Sequence, residues 1–449
     1  MAGEKKIPGR RKFFGTAGAA ALTAAGVPLV KNSAAQERRS GGKLKIALVG
    51  TGIRGSGMWG KRLVDNYSDV VEFVGLCDIN RKRMEFVKQY LGLTCTAFID
   101  TEFDDMIRKT KPDAVIVTTK DCFHAKYICR AMELGCNVIT EKPLATDEKM
   151  CQEIIDTEKR TGKNIRVTFN YRYGPAAVRI KELLTAGEIG QVTSVDFNWY
   201  LDTDHGASYF RRWHGYKQNS GSLFVHKATH HFDLMNWWLD AEPMEVNGHG
   251  DLRHYGWNGS FRGERCMTCT HKSACPYYWD ITKNEFLMDL YVKCESEDGY
   301  IRDHCLYSRD INIWDNMAVQ VRYHNDVLMN YSLSACMPYE GYLVSFNGTK
   351  GRLDAREYHN QPWDVEGMAD FRVTKLFGET RTFTIPHGGA GHWGSDEKMQ
   401  DMIFRGPIDD PLGQTAGSRA GALSIMIGVT ARRSIEQQRP IMIEELVKI

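Results

Sequence analysis

Lys142, inside Thr140-Glu141-Lys142-Pro143, lies about ninety residues after a glycine-rich turn, where a dinucleotide-binding unit would be finishing. An ammonium there can hydrogen-bond a hydroxyl oxygen and stabilise the alkoxide that develops when hydride leaves a carbinol carbon. The turn reads Lys45-Ile46-Ala47-Leu48-Val49-Gly50-Thr51-Gly52-Ile53-Arg54-Gly55, an apolar run ending in G-x-G-x-x-G spacing. Gly50 suits a tight turn, Gly52 a close approach of backbone to a pyrophosphate, and Gly55 the packing of a helix whose first amides attract phosphate. Taken alone, such glycines equally describe an ordinary turn. Context comes from a second apolar run, residues 70–78, which ends in Asp78. That carboxylate can accept from an adenosine ribose and would repel a 2'-phosphate, so NAD is expected. NADP stays open because Arg81 is close enough to hold a phosphate.

These groups need a scaffold, and residues 43–166 supply its pattern. Short β-branched runs at 46–49, 73–76, 114–118 and 137–140 alternate with helical spacing at 81–91 and 124–134, and 165–169 reads as the exit strand. Such alternation predicts a parallel, doubly wound sheet of the Rossmann kind. Residues 167–449 follow a different pattern, in which 192–197, 318–323, 327–333 and 343–346 alternate apolar and polar residues, as in a large, mostly antiparallel sheet with one face exposed or helix-covered. The fold class is therefore α/β, a dinucleotide domain followed by an α/β domain. A late helix over 419–435, apolar at Ala422, Leu423, Met426 and Ile427, is expected to pack back onto the first domain.

With 449 residues and 42% hydrophobic content, the chain has material for two domains. Its net charge is only +2, and the first 35 residues hold six basic residues against one acidic, so the rest is weakly acidic. Nucleic-acid binding has no electrostatic support. The leader, Gly9-Arg10-Arg11-Lys12-Phe13-Phe14 followed by an Ala/Gly-rich run and Ser33-Ala34-Ala35, resembles a twin-arginine export signal cut near residue 35. It predicts a periplasmic protein that uses the twin-arginine export machinery. A membrane anchor fits less well, because the run is short and diluted by glycine.

From Lys43 onward the chain resembles the glucose-fructose oxidoreductase and inositol dehydrogenase family (Gfo/Idh/MocA). The residues that carry the likeness are the glycine turn, Asp78, Thr118-Thr119-Lys120-Asp121 with His124, Glu141-Lys142-Pro143, and Asn170-Tyr171-Arg172-Tyr173. The resemblance implies an NAD(P)-dependent enzyme acting on a sugar or polyol, with Gly50, Gly52, Ile53, Arg54, Gly55, Asp78, Thr118, Lys120, His124, Glu141 and Lys142 at the cofactor. A homo-oligomer is also expected. The family's Gly-Gly-Gly-Ala-Leu-x-Asp-x-Gly-x-His-x-x-Asp segment appears here as Ser220 to Asp233, where His230 and Asp233 match but His226 replaces the aspartate.

His226 and His230 share one face if the segment is helical, while His231 points elsewhere. Substrate contact is the first reading for the pair. They also suit a structural role, or the start of a metal site that lacks the glutamate of His-Glu-x-x-His. The chemistry expected is general-base action by His230 on a hydroxyl, alkoxide stabilisation by Lys142, and a lysine pKa lowered by burial. Arg172, Trp213, His214, His226, Lys227 and His230 are the expected substrate contacts. Two alternatives remain: a glycosidase or keto-sugar lyase acting through transient oxidation, and a non-catalytic sugar-binding protein. A cofactor held tightly through each cycle would suit a compartment poor in free nicotinamide.

Six of the twelve cysteines, Cys77 to Cys151, are spread through the first domain as small core residues would be. Cys266, Cys269 and Cys275 cluster in an insertion spanning about 262–305, and three thiolates need one more ligand for tetrahedral zinc. Cys305 is the expected fourth, with Cys294, His271 and His304 as competitors. An iron-sulfur cluster or loop cysteines without metal would also fit the spacing.

Overall fold

The computed structural model describes residues 42–364, 367–389 and 392–449. The expected leader, 1–35, lies outside the described residues. Six strands form the first sheet: β1 (Leu44–Val49), β2 (Val71–Asp78), β3 (Thr96–Ile99), β4 (Ala114–Val117), β5 (Asn137–Thr140) and β6 (Ile165–Val167). They pair in parallel in the order β3-β2-β1-β4-β5-β6. The order reverses between β1 and β4, so the loops after these strands diverge and open a crevice at their carboxyl ends. β4 and residues 46–49 of β1 are buried on both faces, which is why they read as unbroken apolar runs.

The helix Arg81–Leu91 has the expected bounds because its signals are local. The Asn80 side chain accepts from the Arg83 amide, and Gly92, at φ +64°, ends it. The helix His124–Glu133 also lies where its spacing put it. Edge strand β3 has one fully buried residue and left no clear period in the sequence.

The second sheet has nine strands: β7 (Val192–Asp202), β8 (Pro243–Asp251), β9 (Asn316–Tyr323), β10 (Leu328–Met337), β11 (Glu340–Gly348), β12 (Gly351–Asn360), β13 (Met368–Lys375), β14 (Thr380–Pro386) and β15 (Ile441–Met442). Their order is β14-β13-β12-β11-β7-β10-β9-β8-β15. Every pairing is antiparallel except β7 with β10. One face is apolar and carries Val195, Phe197 and Trp199. The opposite face holds a polar ladder in which Asn330 donates to Asp196 (3.2 Å), Ser332 to Asn198 (2.7 Å), Asn347 to Ser194 (3.0 Å) and Ser345 to Asp354 (2.7 Å).

The late helix spans Ser418–Gln437 and packs back as expected: Arg433 pairs with Glu148 of the first domain at 2.6 Å, and Ser418 bonds Glu158. A Cβ on Gly428 would stand 2.3 Å from the Phe224 carbonyl oxygen, so this helix lies directly against the segment that carries the histidines.

The connection from β8 to β9 is the insertion, and its second half docks on the dinucleotide domain. Arg83 donates to the Leu290 carbonyl (3.2 Å) and pairs with Asp298 (2.7 Å), while Asn80 donates to the Cys294 carbonyl (2.9 Å). Val87, Leu91, Ile281, Leu287, Leu290 and Tyr291 make a small core beneath it. Zinc was expected to pin this segment beside the second domain. Among the described residues, however, no three His, Cys, Asp or Glu side chains are grouped to hold a metal ion. Cys266 instead accepts from Arg211 (3.0 Å), Cys269 accepts from the His271 amide (3.4 Å), and Cys275 and Cys305 form no disulfide. Aromatic packing and ion pairs provide the anchorage that thiolates were expected to give.

Candidate active site

Gly50, at φ +88°, turns the chain out of β1, and a Cβ there would sit 2.7 Å from the Thr118 carbonyl carbon. A Cβ on Gly55 would lie 2.0 Å from the Gly50 carbonyl oxygen, which no side-chain shift can relieve. After Gly55 the chain makes a widened turn over Gly55–Lys61 and continues as the helix Arg62–Tyr67. These are the features of a phosphate cradle, and replacing Gly55 with Ala is expected to abolish dinucleotide binding. Titration of reduced nicotinamide fluorescence would read this directly, and retained affinity would show that the loop is not the cradle.

Several residues expected at the cofactor hold the cradle together. Thr118 Oγ1 donates to the Gly50 carbonyl (2.5 Å). Glu141 Oε1 accepts from Arg54 Nε (2.7 Å) and Trp59 Nε1 (2.8 Å), tying the end of β5 to the turn. His124 sets Nδ1 2.7 Å from the Pro143 carbonyl and so fixes the backbone next to Lys142. Asp78 takes bonds from the Thr51 amide (2.6 Å) and hydroxyl (2.9 Å) and meets Arg83 at 3.4 Å. The guanidinium beside it is thus Arg83, and Arg81 is exposed. The Ile53 amide donates to the Tyr291 hydroxyl (2.8 Å), and Lys120 Nζ lies 5.4 Å from the Tyr300 ring centre.

Below the loop, Lys142 Nζ donates to the His226 carbonyl (3.1 Å). Burial pushes its ammonium down to about 8, with the Asp121 carboxylate opposing the shift. His226 Nδ1 is 2.6 Å from Asp121 Oδ2, and with Nδ1–H donating, Nε2 is left as an acceptor. Burial, Lys142 and Arg212 hold His226 well below the usual imidazole range. His230 is held down likewise by burial, Lys142 and Lys227, and its buried Nδ1 has no partner among the described residues. His230 stacks on Tyr171 (4.3 Å, 13°), whose hydroxyl accepts from Lys227 Nζ (3.0 Å). Trp213 stacks on His214 at 3.6 Å, and the His214 ring is 4.3 Å from His226. The segment is helical over Leu223–His226 and again over Ala228–Leu239, with Lys227 between. His231 turns away and meets the Tyr331 hydroxyl at 2.7 Å.

The site thus gathers Lys142, His226, His230, Lys227, His214 and Trp213. It does not gather Arg172, whose guanidinium makes a two-pronged ion pair with Asp233 (2.8 and 2.6 Å) and donates to the Gly413 carbonyl. That contact corrects its expected place at the substrate. Arg419 pairs with Glu242, and His392 pairs with Asp396 at 2.9 Å with its ring 5.8 Å from Tyr171. Sequence reasoning did not single out Asp121, Tyr171, Tyr291 or Arg302 as site residues. Asp121 follows Thr118-Thr119-Lys120 and Tyr171 precedes Arg172, so both had a signal, but Tyr291 and Arg302 come from the insertion and had none.

A doubly wound domain with a glycine cradle and Lys142 at the end of β5, joined to a sheet domain that brings two buried imidazoles to that lysine, defines a nicotinamide-dependent oxidoreductase. Residues 44–169 match the model described as oxidoreductase family, NAD-binding Rossmann fold, and residues 181–443 match that family's C-terminal alpha/beta domain. The chain belongs to the Gfo/Idh/MocA oxidoreductase family and is an NAD(P)-binding enzyme that acts on CH-OH groups. It is 36% identical over 424 residues to the protein YteT of Bacillus subtilis, covering 90% of this chain and 99% of that one. An inositol 2-dehydrogenase/D-chiro-inositol 3-dehydrogenase of Lactiplantibacillus plantarum is 28% identical over 203 residues, 45% of this chain and 54% of that protein. An Agrobacterium radiobacter oxidoreductase, solved with NAD+, L-tartaric acid and magnesium, superposes with TM-score 0.62 at 14% identity over 90% of this chain and 100% of that one, a likeness of fold alone.

Proposed function

We propose that the protein is an exported, NAD-dependent sugar or polyol oxidoreductase in which His230 takes the hydroxyl proton and Lys142 holds the oxygen. The observation that carries this reading is His230 itself, a buried neutral imidazole with an unpartnered nitrogen, sharing the cleft with the Lys142 ammonium. A bound nicotinamide supplies the hydride acceptor in one direction and the donor in the other. His230 would accept one proton, Lys142 would donate a hydrogen bond to the developing alkoxide, and Asp121 would orient His226 as a further acceptor. Tyr171 holds the His230 ring by stacking, and aromatic faces nearby suit sugar C–H surfaces.

The test is a sugar deuterated at the carbinol carbon: label should appear in the reduced nicotinamide in equal amount to the oxidised product. Return of the label to the sugar carbon, with release of an aglycone, would favour a glycosidase or lyase and sink simple dehydrogenation.

Asp78 at the end of β2 supports NAD over NADP, since Arg83 beside it is already shared with Asp298. NAD is expected to bind at least about tenfold tighter than NADP. Equal dissociation constants by calorimetry would refute that preference. The insertion's cover over the Ile53 amide supports a tightly held cofactor, checked by nucleotide release when the purified protein is denatured. Export rests on Arg10 and Arg11 in the sequence: substituting both by Lys should leave the protein in the cytoplasmic fraction, and unchanged fractionation would remove the proposal. A homo-oligomer, read from mass by light scattering, completes the reading.

A further inference from the structure

Two guanidinium groups border the cleft, and among the described residues neither forms an ion pair with a carboxylate, although the Asp121 carboxyl feels the Arg212 charge. Arg212 follows the helix His205–Arg211; its Nε donates to the Ser208 carbonyl (2.8 Å) and its Cζ lies 5.4 Å from the Tyr209 ring centre. Neither contact neutralises its charge. The Tyr209 ring is 5.4 Å from His226 and 5.5 Å from His214, which puts Arg212 beside the reacting groups. Arg302 arrives from the insertion, buried, with Cζ 4.4 Å from the Tyr291 ring centre and Nε without a hydrogen-bond partner. The two cations repel each other, and both bear on His214, whose buried Nδ1 also lacks a partner.

Three other buried arginines, Arg83, Arg172 and Arg265, each meet one or two carboxylates within 3.4 Å, while buried Arg211 and Arg432 donate to uncharged acceptors, so among the buried arginines of the described residues Arg302 stands apart by its unpartnered Nε. A buried cation without an ion pair is costly, and half-buried Arg212 near buried Arg302 raises that cost unless an anion joins them. Two amides of the glycine loop, Thr51 and Ile53, are engaged by Asp78 and Tyr291, and Arg302 lies on that same Tyr291 and so borders the loop as well as the cleft, whereas Arg212 stands with Tyr209 on the histidine side.

We infer that Arg212 and Arg302 receive an oxyanion of the substrate, so that the carbohydrate presented to Lys142 and His230 is an acidic sugar bearing a carboxylate or a phosphate. The reaction assigned to that sugar rests on the oxidoreductase reading above; its binding does not.

The test uses the full chain loaded with NAD and matched sets of gluco-, galacto- and manno-configured sugars: the neutral aldose, its uronate and its 6-phosphate. Binding is read by calorimetry and turnover by reduced nicotinamide absorbance. One acidic member should bind at least about tenfold better than its neutral parent, and Arg212→Gln or Arg302→Gln should each weaken that binding on the order of a hundredfold, with NADH affinity changed less than about threefold. Preference for the uronate identifies a carboxylate, and preference for the 6-phosphate a phosphate. Neutral sugars bound as well as acidic ones would overturn the inference, as would variants that lose NADH affinity instead, because the guanidinium groups would then serve the cofactor. Acid-selective binding that depends on both arginines, with no sugar reducing NAD, would leave the inference standing and overturn the oxidoreductase reading.

Discussion

Lys142→Met should lower kcat on the order of a thousandfold while leaving the protein folded and NADH binding close to normal. The expectation follows from position: the ammonium is buried, bonded to the His226 carbonyl, and sits in the cleft that also holds the free nitrogen of His230. Methionine fills the same space without the charge or the proton. In the proposed reaction Lys142 donates while protonated, and its pKa is pushed down to about 8, so kcat for sugar oxidation should fall as pH rises through about 8. Lys142→Arg, which stays charged, should carry that falling limb to higher pH even if its maximum rate is lower. A methionine variant within tenfold of the parent, or a limb at the same pH in the arginine variant, would remove Lys142 from the chemistry.

Arg172→Leu should act on the fold. It leaves Asp233 buried at 1% exposure with its two hydrogen bonds gone, and losing one partner of such a pair costs about 3–5 kcal/mol. The melting temperature should drop clearly, with KM little changed in the protein that remains folded. Changing Asp233 to Leu as well should recover part of the loss, because no orphaned charge is left. A raised KM with an unchanged melting temperature would instead return Arg172 to the substrate, where its neighbourhood in the sequence had suggested it belonged.

Arg172 shows why the sequence was readable only in part. Its segment follows the dinucleotide domain and lies close to the site, but which way a guanidinium turns depends on Asp233, 61 residues away, and sequence spacing carries no such information. The dinucleotide domain was legible because its central strands are buried on both faces and its helix Arg81–Leu91 has local start and stop signals. Lys142, His226 and His230 were legible because close neighbours in the chain mark them. The insertion was not: four cysteines suggested a metal, yet Arg211 takes one thiol, and Phe86, Tyr90 and Phe286 pack where the segment docks. Long-range aromatic packing leaves no period to detect. β12 and β13 alternate buried and exposed residues much as β9 does, so their period was present and went unread, whereas β14 has no buried residue to mark one.

The polar ladder across β7, β10, β11 and β12 fixes the height of the wall behind the histidines. Sliding β7 by one residue would turn Asp196 and Asn198 inward and push Phe197 and Trp199 out to water, forfeiting both faces at once. Trp199, stacked on His231 at 3.8 Å, therefore acts as a stop with only one permitted setting, and the depth of the cleft is gauged by hydrogen bonds on the far side of the sheet.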